Sequence, residues 1–157
     1  MKDNLLKDAQ NIAQKVTSSL GGYGIFGVEL FITKREAIFS ELSPRPHDTG
    51  MVTLISQQLN EFDLHFRAIL GFPIPNTKIY GPSASAVVLA DRVSQSFSYE
   101  GLSSALEIPG VDVRIFGKPS TRVHRRMAVC LARAKTLDLA RKNAGKASRT
   151  IQIKYHD

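Results

Sequence analysis

Between Gly24 and Ser43, two runs rich in Ile, Phe and Val flank the polar tripeptide Lys34-Arg35-Glu36, and Ser43-Pro-Arg-Pro then places two prolines within three residues. Paired β-branched and aromatic runs around a short polar turn predict an antiparallel hairpin. The double proline fits neither a helix nor a central strand, so the hairpin must end there in a stiff loop. With Lys34-Arg35-Glu36 as the turn, Thr33 faces Ala37, Phe31 faces Phe39 and Glu29 faces Glu41. Val28, Leu30, Ile32, Ile38 and Leu42 then share an apolar face; a register shifted by one residue would mix the faces.

That register sets two carboxylates side by side. Like charges about 5 Å apart across strands repel, and something must offset the repulsion. A hard divalent cation does so, because Mg²⁺ takes carboxylate oxygens together with substrate phosphates. On the hairpin alone, a solvated acidic pair fits equally well.

The remaining pattern predicts a mixed α/β (α+β) chain. Leu5, Ile12, Val16 and Leu20 recur at helical spacing, predicting a helix over residues 3–19 that stops at Gly21-Gly22. Thr49 is placed to cap a second helix running through Leu70, stopped by Gly71 and Pro73. The linker-like run from Pro73 to Pro82 places a lobe boundary near Tyr80, dividing the chain into residues 1–80 and 81–157. Beyond it the expected strands are 85–90, 94–98, 111–116, 126–132 and 150–154, with a helical turn over 103–106 and a helix over 137–147. Gly22-Tyr-Gly24-Ile-Phe-Gly27 matches the dinucleotide fingerprint by letter only. That fingerprint needs a strand before it and a helix after, and here the order is reversed.

Charge is unevenly spread. From Arg114 onward, 12 Lys and Arg stand against two acids, while the earlier residues hold nine against 12. A basic tail favours a phosphate-bearing partner. Arg114 to Arg126 reads as strand, turn and strand, with Lys118, Arg122, Arg125 and Arg126 at or beside the tip. Arginine forks and a lysine point charge together suit a phosphomonoester. Adjacent residues on a regular strand face opposite ways, so Arg125 and Arg126 can share one ligand only at a bulge or loop end. Arg122 fits a solvated turn. No aromatic residue lies between Phe116 and Tyr155 to form a stacking platform, which argues against nucleic acid. The single cysteine, Cys130, excludes a disulfide framework and a thiolate metal cluster, and its apolar neighbours predict a buried side chain. No apolar run is long enough for a membrane span, and the expected compartment is the cytoplasm.

Gly27-Val-Glu-Leu-Phe31 and Phe39-Ser-Glu-Leu-Ser-Pro-Arg-Pro-His-Asp-Thr-Gly50 together resemble the metal-binding end of the ATP-grasp fold. Met51-Val-Thr-Leu-Ile-Ser-Gln57, Tyr80-Gly-Pro-Ser-Ala-Ser-Ala86, Phe116-Gly-Lys-Pro119 and Arg125-Arg126 extend the likeness. Together they are similar to the carboxy-terminal portion of formate-dependent glycinamide ribonucleotide transformylases. The related carboxyaminoimidazole ribonucleotide synthases have a similar proline loop but usually continue with asparagine and serine. The resemblance implies the back part of an ATP-grasp domain followed by a small β-rich lobe. It assigns Glu29 and Glu41 to Mg²⁺, and Asp48, Lys118, Arg125 and Arg126 to glycinamide ribonucleotide, with ATP and formate as the other substrates. It also implies a homodimer, and an amino-terminal part carrying the adenine pocket and phosphate-neutralising lysines that this sequence lacks. A stand-alone phosphometabolite-binding domain and a nucleic-acid binder are the competing readings. Arg45 could sit near phosphate or brace its loop, and His47 could serve as a base or as a structural hydrogen-bonding group. His65 is expected at the surface or in the core without a functional role.

Overall fold

The computed structural model describes residues 2–156. In chain order the elements are α1 (Asp3–Leu20), β1 (Gly27–Ile32), β2 (Ala37–Ser43), a 3₁₀ turn (Asp48–Val52), α2 (Thr53–Ser56) and α3 (Glu61–Leu70). They continue with β3 (Ser83–Leu89), β4 (Phe97–Glu100), α4 (Leu102–Leu106), β5 (Val111–Ile115), β6 (Arg126–Arg133), α5 (Leu137–Thr150) and β7 (Gln152–Tyr155). Two compact units result. The first holds residues up to Met51 together with Leu59–Thr77; the second holds Val52–Gln58 with the residues from Lys78 on.

In the first unit α1 packs Leu5 and Ala9 inward, while Ala37 is the buried start of β2. The glycine-rich run lies between a helix and a strand, as its reversed order requires. There the Ile25 backbone N–H donates to His65 Nδ1 at 2.9 Å, so His65 is a half-buried structural acceptor.

β1 and β2 pair antiparallel with Glu29 opposite Glu41. The register nearer the turn differs from the expectation: Leu30 faces Phe39, Phe31 faces Ile38 and Ile32 faces Ala37. The connection has four residues because Thr33 belongs to it. Thr33 Oγ1 accepts from the backbone N–H groups of Arg35 and Glu36 at 3.1 and 3.0 Å, and the Thr33 N–H donates to the Glu36 carbonyl. A bulge at Ser40 absorbs the one-residue offset before the two glutamates meet. Phe39 consequently shares a face with Leu30, and Ile38 joins Phe31 beside the acidic pair. Phe31 is 66% and Phe39 44% exposed.

The single helix expected from Thr49 to Leu70 is broken. Asn60 accepts from the Phe62 and Asp63 backbone N–H groups, and the Asp63 carboxylate accepts in return from the Asn60 N–H. This reciprocal cap restarts the chain as α3. The preceding segment instead joins the second unit, where Gln57 bridges Ile79 and Gln58 N–H donates to the Lys78 carbonyl.

The second unit is built on β6, the centre of an antiparallel sheet ordered β3-β6-β5. Six consecutive residues of β6, Met127 to Ala132, are buried, because both faces of this strand are covered. Ala140, Ala144 and Ala147, spaced by four and three residues, are the buried face of α5. Their small side chains let the helix backbone come close to the sheet, where Ser148 Oγ donates to the Val87 carbonyl at 2.6 Å. Cys130 lies in this core, and burial pushes its thiol up to about 11. A separate antiparallel pair, β4 with β7, completes the unit.

Candidate functional site

The first unit brings Glu29, Glu41 and Asp48 onto one hairpin and the proline loop that follows it. Glu29 is half exposed, and its Oε1 lies 3.0 Å from His47 Nε2. The other ring nitrogen, Nδ1, lies 3.1 Å from Asp48 Oδ1 and 3.1 Å from Thr49 Oγ1. Glu41 Oε1 accepts from Ser43 Oγ at 3.2 Å. The protein thus offsets part of the cross-strand repulsion itself, with a ring on one carboxylate and a hydroxyl on the other. Only an imidazole protonated at both nitrogens donates to both Glu29 and Asp48. Arg45 turns back on its own loop, with Nη1 donating to the Pro46 carbonyl at 3.0 Å.

Beneath the loop lies a group that the sequence did not single out. Glu61, the first residue of α3, is only 4% exposed. Its carboxyl is raised above the ordinary 4.5 by burial, opposed by a hydrogen bond from the His47 backbone and by the His47 ring, while Asp48 adds to the rise. Two glycines make room. A Cβ on Gly27 would lie 2.7 Å from His47 Cβ, and one on Gly50 would run into the Glu61 carboxylate. Gly50→Ala is therefore expected to lower unfolding stability by about 1–3 kcal/mol, the usual range for overpacking, measured by urea denaturation. Because Glu61 binds its proton more tightly when folded, its contribution is full below pH 4.5 and is lost as pH rises through the folded value. Glu61→Gln should flatten that part of the stability–pH curve; an unchanged slope would mean that the carboxyl is not buried as described.

The hairpin's donor set fits a hard cation. Glu29 and Glu41 supply two carboxylates from adjacent strands, and both are exposed. Among the described residues no cluster of three or more His, Cys, Asp or Glu is gathered for a metal. Two carboxylates suit Mg²⁺, which keeps several waters and completes its octahedron with phosphate oxygens.

Lys118, Arg125 and Arg126 belong to the second unit, in and beside the long connection between β5 and β6. Arg125 Nη1 donates to the Ser120 carbonyl at 2.9 Å and to Ser120 Oγ at 3.0 Å, which ties the end of the loop to its middle. His124, just before it, has a left-handed φ of 61°, an uncommon conformation for a residue with a side chain. It is held by its N–H donating to the Ala90 carbonyl at 2.8 Å. The register slips between Val88 and Leu89, leaving Met127 as the extra residue of β6 directly after Arg126. Arg125 and Arg126 thus lie at a loop end beside a bulge, the circumstance in which neighbouring residues escape strict alternation. Arg122 is exposed at the turn.

The comparisons follow this geometry along the chain. The ATP-grasp domain family matches residues 1–62, and the family described as PurT, C-terminal, matches residues 83–151. Together the two matches run over most of the chain, an ATP-grasp portion followed by a portion like the PurT carboxy-terminal region. It is 58% identical over 153 residues to the formate-dependent phosphoribosylglycinamide formyltransferase of Trichormus variabilis, covering 98% of this chain and 39% of that protein. The Synechocystis protein of the same name is 64% identical over 139 residues, covering 88% and 36%. The chain thus spans less than half the length of these curated relatives. Among solved structures, glycinamide-RNase-transformylase T from Mycobacterium tuberculosis superposes with a TM-score of 0.76 at 33% identity, covering 97% of this chain and 39% of that one. The N5-carboxyaminoimidazole ribonucleotide synthetase of Thermotoga maritima gives 0.83 at 30% identity, covering 99% and 44%. The matching Aspergillus clavatus synthase, solved with ATP, gives 0.80 at 26%, covering 96% and 40%.

Proposed function

We propose that this chain supplies the metal-binding and acceptor-binding portion of an enzyme that uses ATP to activate formate and transfers the formyl group to the amine of glycinamide ribonucleotide. The observation that carries this reading is the facing pair Glu29 and Glu41, followed at once by the loop that presents Asp48, in a chain whose relatives bear that name. Glu29 and Glu41 would hold Mg²⁺, which when bound neutralises charge on the transferring phosphoryl group. Asp48, on a loop stiffened by Pro44 and Pro46, accepts hydrogen bonds from the substrate amine or amide. Lys118, Arg125 and Arg126 grip the ribose phosphate. Arg125 spends one nitrogen, Nη1, on Ser120, so it orders the loop while keeping its other guanidinium nitrogens for phosphate. In this reading formate is activated as formyl phosphate, the amine attacks its carbonyl carbon, and phosphate leaves. In this reading residues 1–80 are the metal-bearing end of the ATP-grasp domain and residues 81–157 a small carboxy-terminal lobe, whereas the compact units assign Val52–Gln58 and residues 78–80 to the second. By the same resemblance the complete enzyme is a cytoplasmic homodimer that binds neither membrane nor nucleic acid.

The basic loop supplies a test that separates a ribonucleotide from a nucleic-acid backbone. In an active assembly Lys118→Ala and Arg126→Ala are expected to raise the apparent KM for the ribonucleotide about tenfold or more, the loss from removing one charged hydrogen bond. Duplex DNA should bind weakly and release steeply with salt. Tight, sequence-dependent nucleic-acid binding would reverse this reading.

A further inference from the structure

We propose that His47 is a positioning residue whose single ring fixes both Glu29 and Asp48. The functional meaning of the inference rests on the metal and acceptor roles given above; the geometry does not. The His47 side chain is 16% exposed, with Nε2 3.0 Å from Glu29 and Nδ1 3.1 Å from Asp48. Glu29 is half exposed on a strand and would otherwise exchange among several staggered rotamers, each at little cost. A donor held in one place removes that freedom.

The ring is itself held from three directions. Behind it, the bare Gly27 leaves just enough room for His47 Cβ. Below it, buried Glu61 accepts from the His47 backbone, and Gly50 leaves room for that carboxylate. Beside it, Thr49 Oγ1 meets Nδ1 at 3.1 Å. A rigid plane with one nitrogen toward each carboxylate links the two sites mechanically, so that displacement of one is felt by the other. Outer partners of this kind commonly change metal affinity by about 10–100-fold. Glu61, Gly27 and Gly50 act one step further out, by holding the ring.

The two nitrogens can be separated by substitution. The amide of glutamine reaches about as far as Nε2, and that of asparagine about as far as Nδ1. In the 157-residue protein, three-bond couplings to the β-protons of Glu29 and Asp48 report rotamer averaging without any ligand. Wild type should show one rotamer at each. His47→Gln should keep Glu29 fixed and free Asp48; His47→Asn should do the reverse. Mn²⁺ affinity, followed by electron paramagnetic resonance, should fall about 10–100-fold in His47→Asn and stay within about threefold in His47→Gln. A merely structural histidine would loosen both carboxylates together. Averaged rotamers at both positions in wild type, or identical patterns in the two variants, would overturn the proposal. If a variant fails to keep the wild-type amide spectrum, the wild-type couplings decide the question. Glu29→Gln is the control for the metal role: unchanged Mn²⁺ affinity there would refute that role, while the couplings would still decide whether His47 positions the carboxylates.

Discussion

Glu29→Gln or Glu41→Gln in an active assembly is expected to lower turnover by at least about 10²-fold, with the fold intact. Removing one preorganised electrostatic contact to a transition state commonly costs that much, and these carboxylates would carry the charge that holds the cation. Stability should move the other way for Glu41→Gln. The two glutamates face each other across the strands, so neutralising one removes a like-charge contact worth up to about 1 kcal/mol. A glutamine carbonyl can still accept from Ser43 Oγ as Glu41 does. A variant that is as stable as wild type, or more so, yet nearly inactive would show that the pair is kept for chemistry. Near-normal turnover in both variants would remove the metal assignment.

How far the residues announced this arrangement varies along the chain. Glu29 faces Glu41 as expected, but not for the expected reason: Ile38 lies on the acidic face, and the pairing is restored only by the bulge at Ser40. The turn was not legible. Thr33 looked like a strand residue, yet its hydroxyl accepts two backbone N–H groups and draws it into the connection. The resulting offset had to be absorbed somewhere, and Ser40, small and polar, takes the bulge. The break before α3 was written in Asn60 and Asp63 as a reciprocal cap, but the apolar spacing on either side masked it. Both cases are local side-chain hydrogen bonds overriding a periodic pattern.

The support beneath the proline loop was least legible. Glu61 reads as an ordinary first-turn acid, favoured near a helix N-terminus, and only the tertiary fold buries it under Gly50. Gly27 reads as a strand entrance, although its missing side chain is what admits His47. Close approaches between residues far apart in sequence leave no periodic signal. In the second unit, by contrast, the strand expected over 126–132 and the helix expected over 137–147 match β6 and α5 closely, and Cys130 is buried as its apolar neighbours predicted. The left-handed backbone at His124 carried no sequence signal, since a residue with a Cβ is the exception there.

The central claim, that the chain holds only part of an ATP-grasp site, predicts that it has no turnover by itself. The facing pair Glu29 and Glu41, the proline loop and the basic connection are present. The chain spans 39% of the length of the Trichormus variabilis relative, and in the proposed reading the groups that neutralise the β- and γ-phosphates belong to the remainder. Each 1.36 kcal/mol of lost transition-state contact costs about tenfold in rate, so a missing wall abolishes turnover rather than reducing it. Exposed Phe31 and Phe39 offer apolar surface for the absent part to cover. The direct measurement is ADP release dependent on formate and glycinamide ribonucleotide. The purified chain is assayed alone and then mixed with the separately expressed amino-terminal portion of the Trichormus variabilis relative. ADP release on mixing and none from the chain alone is the predicted result; turnover by the chain alone would contradict it.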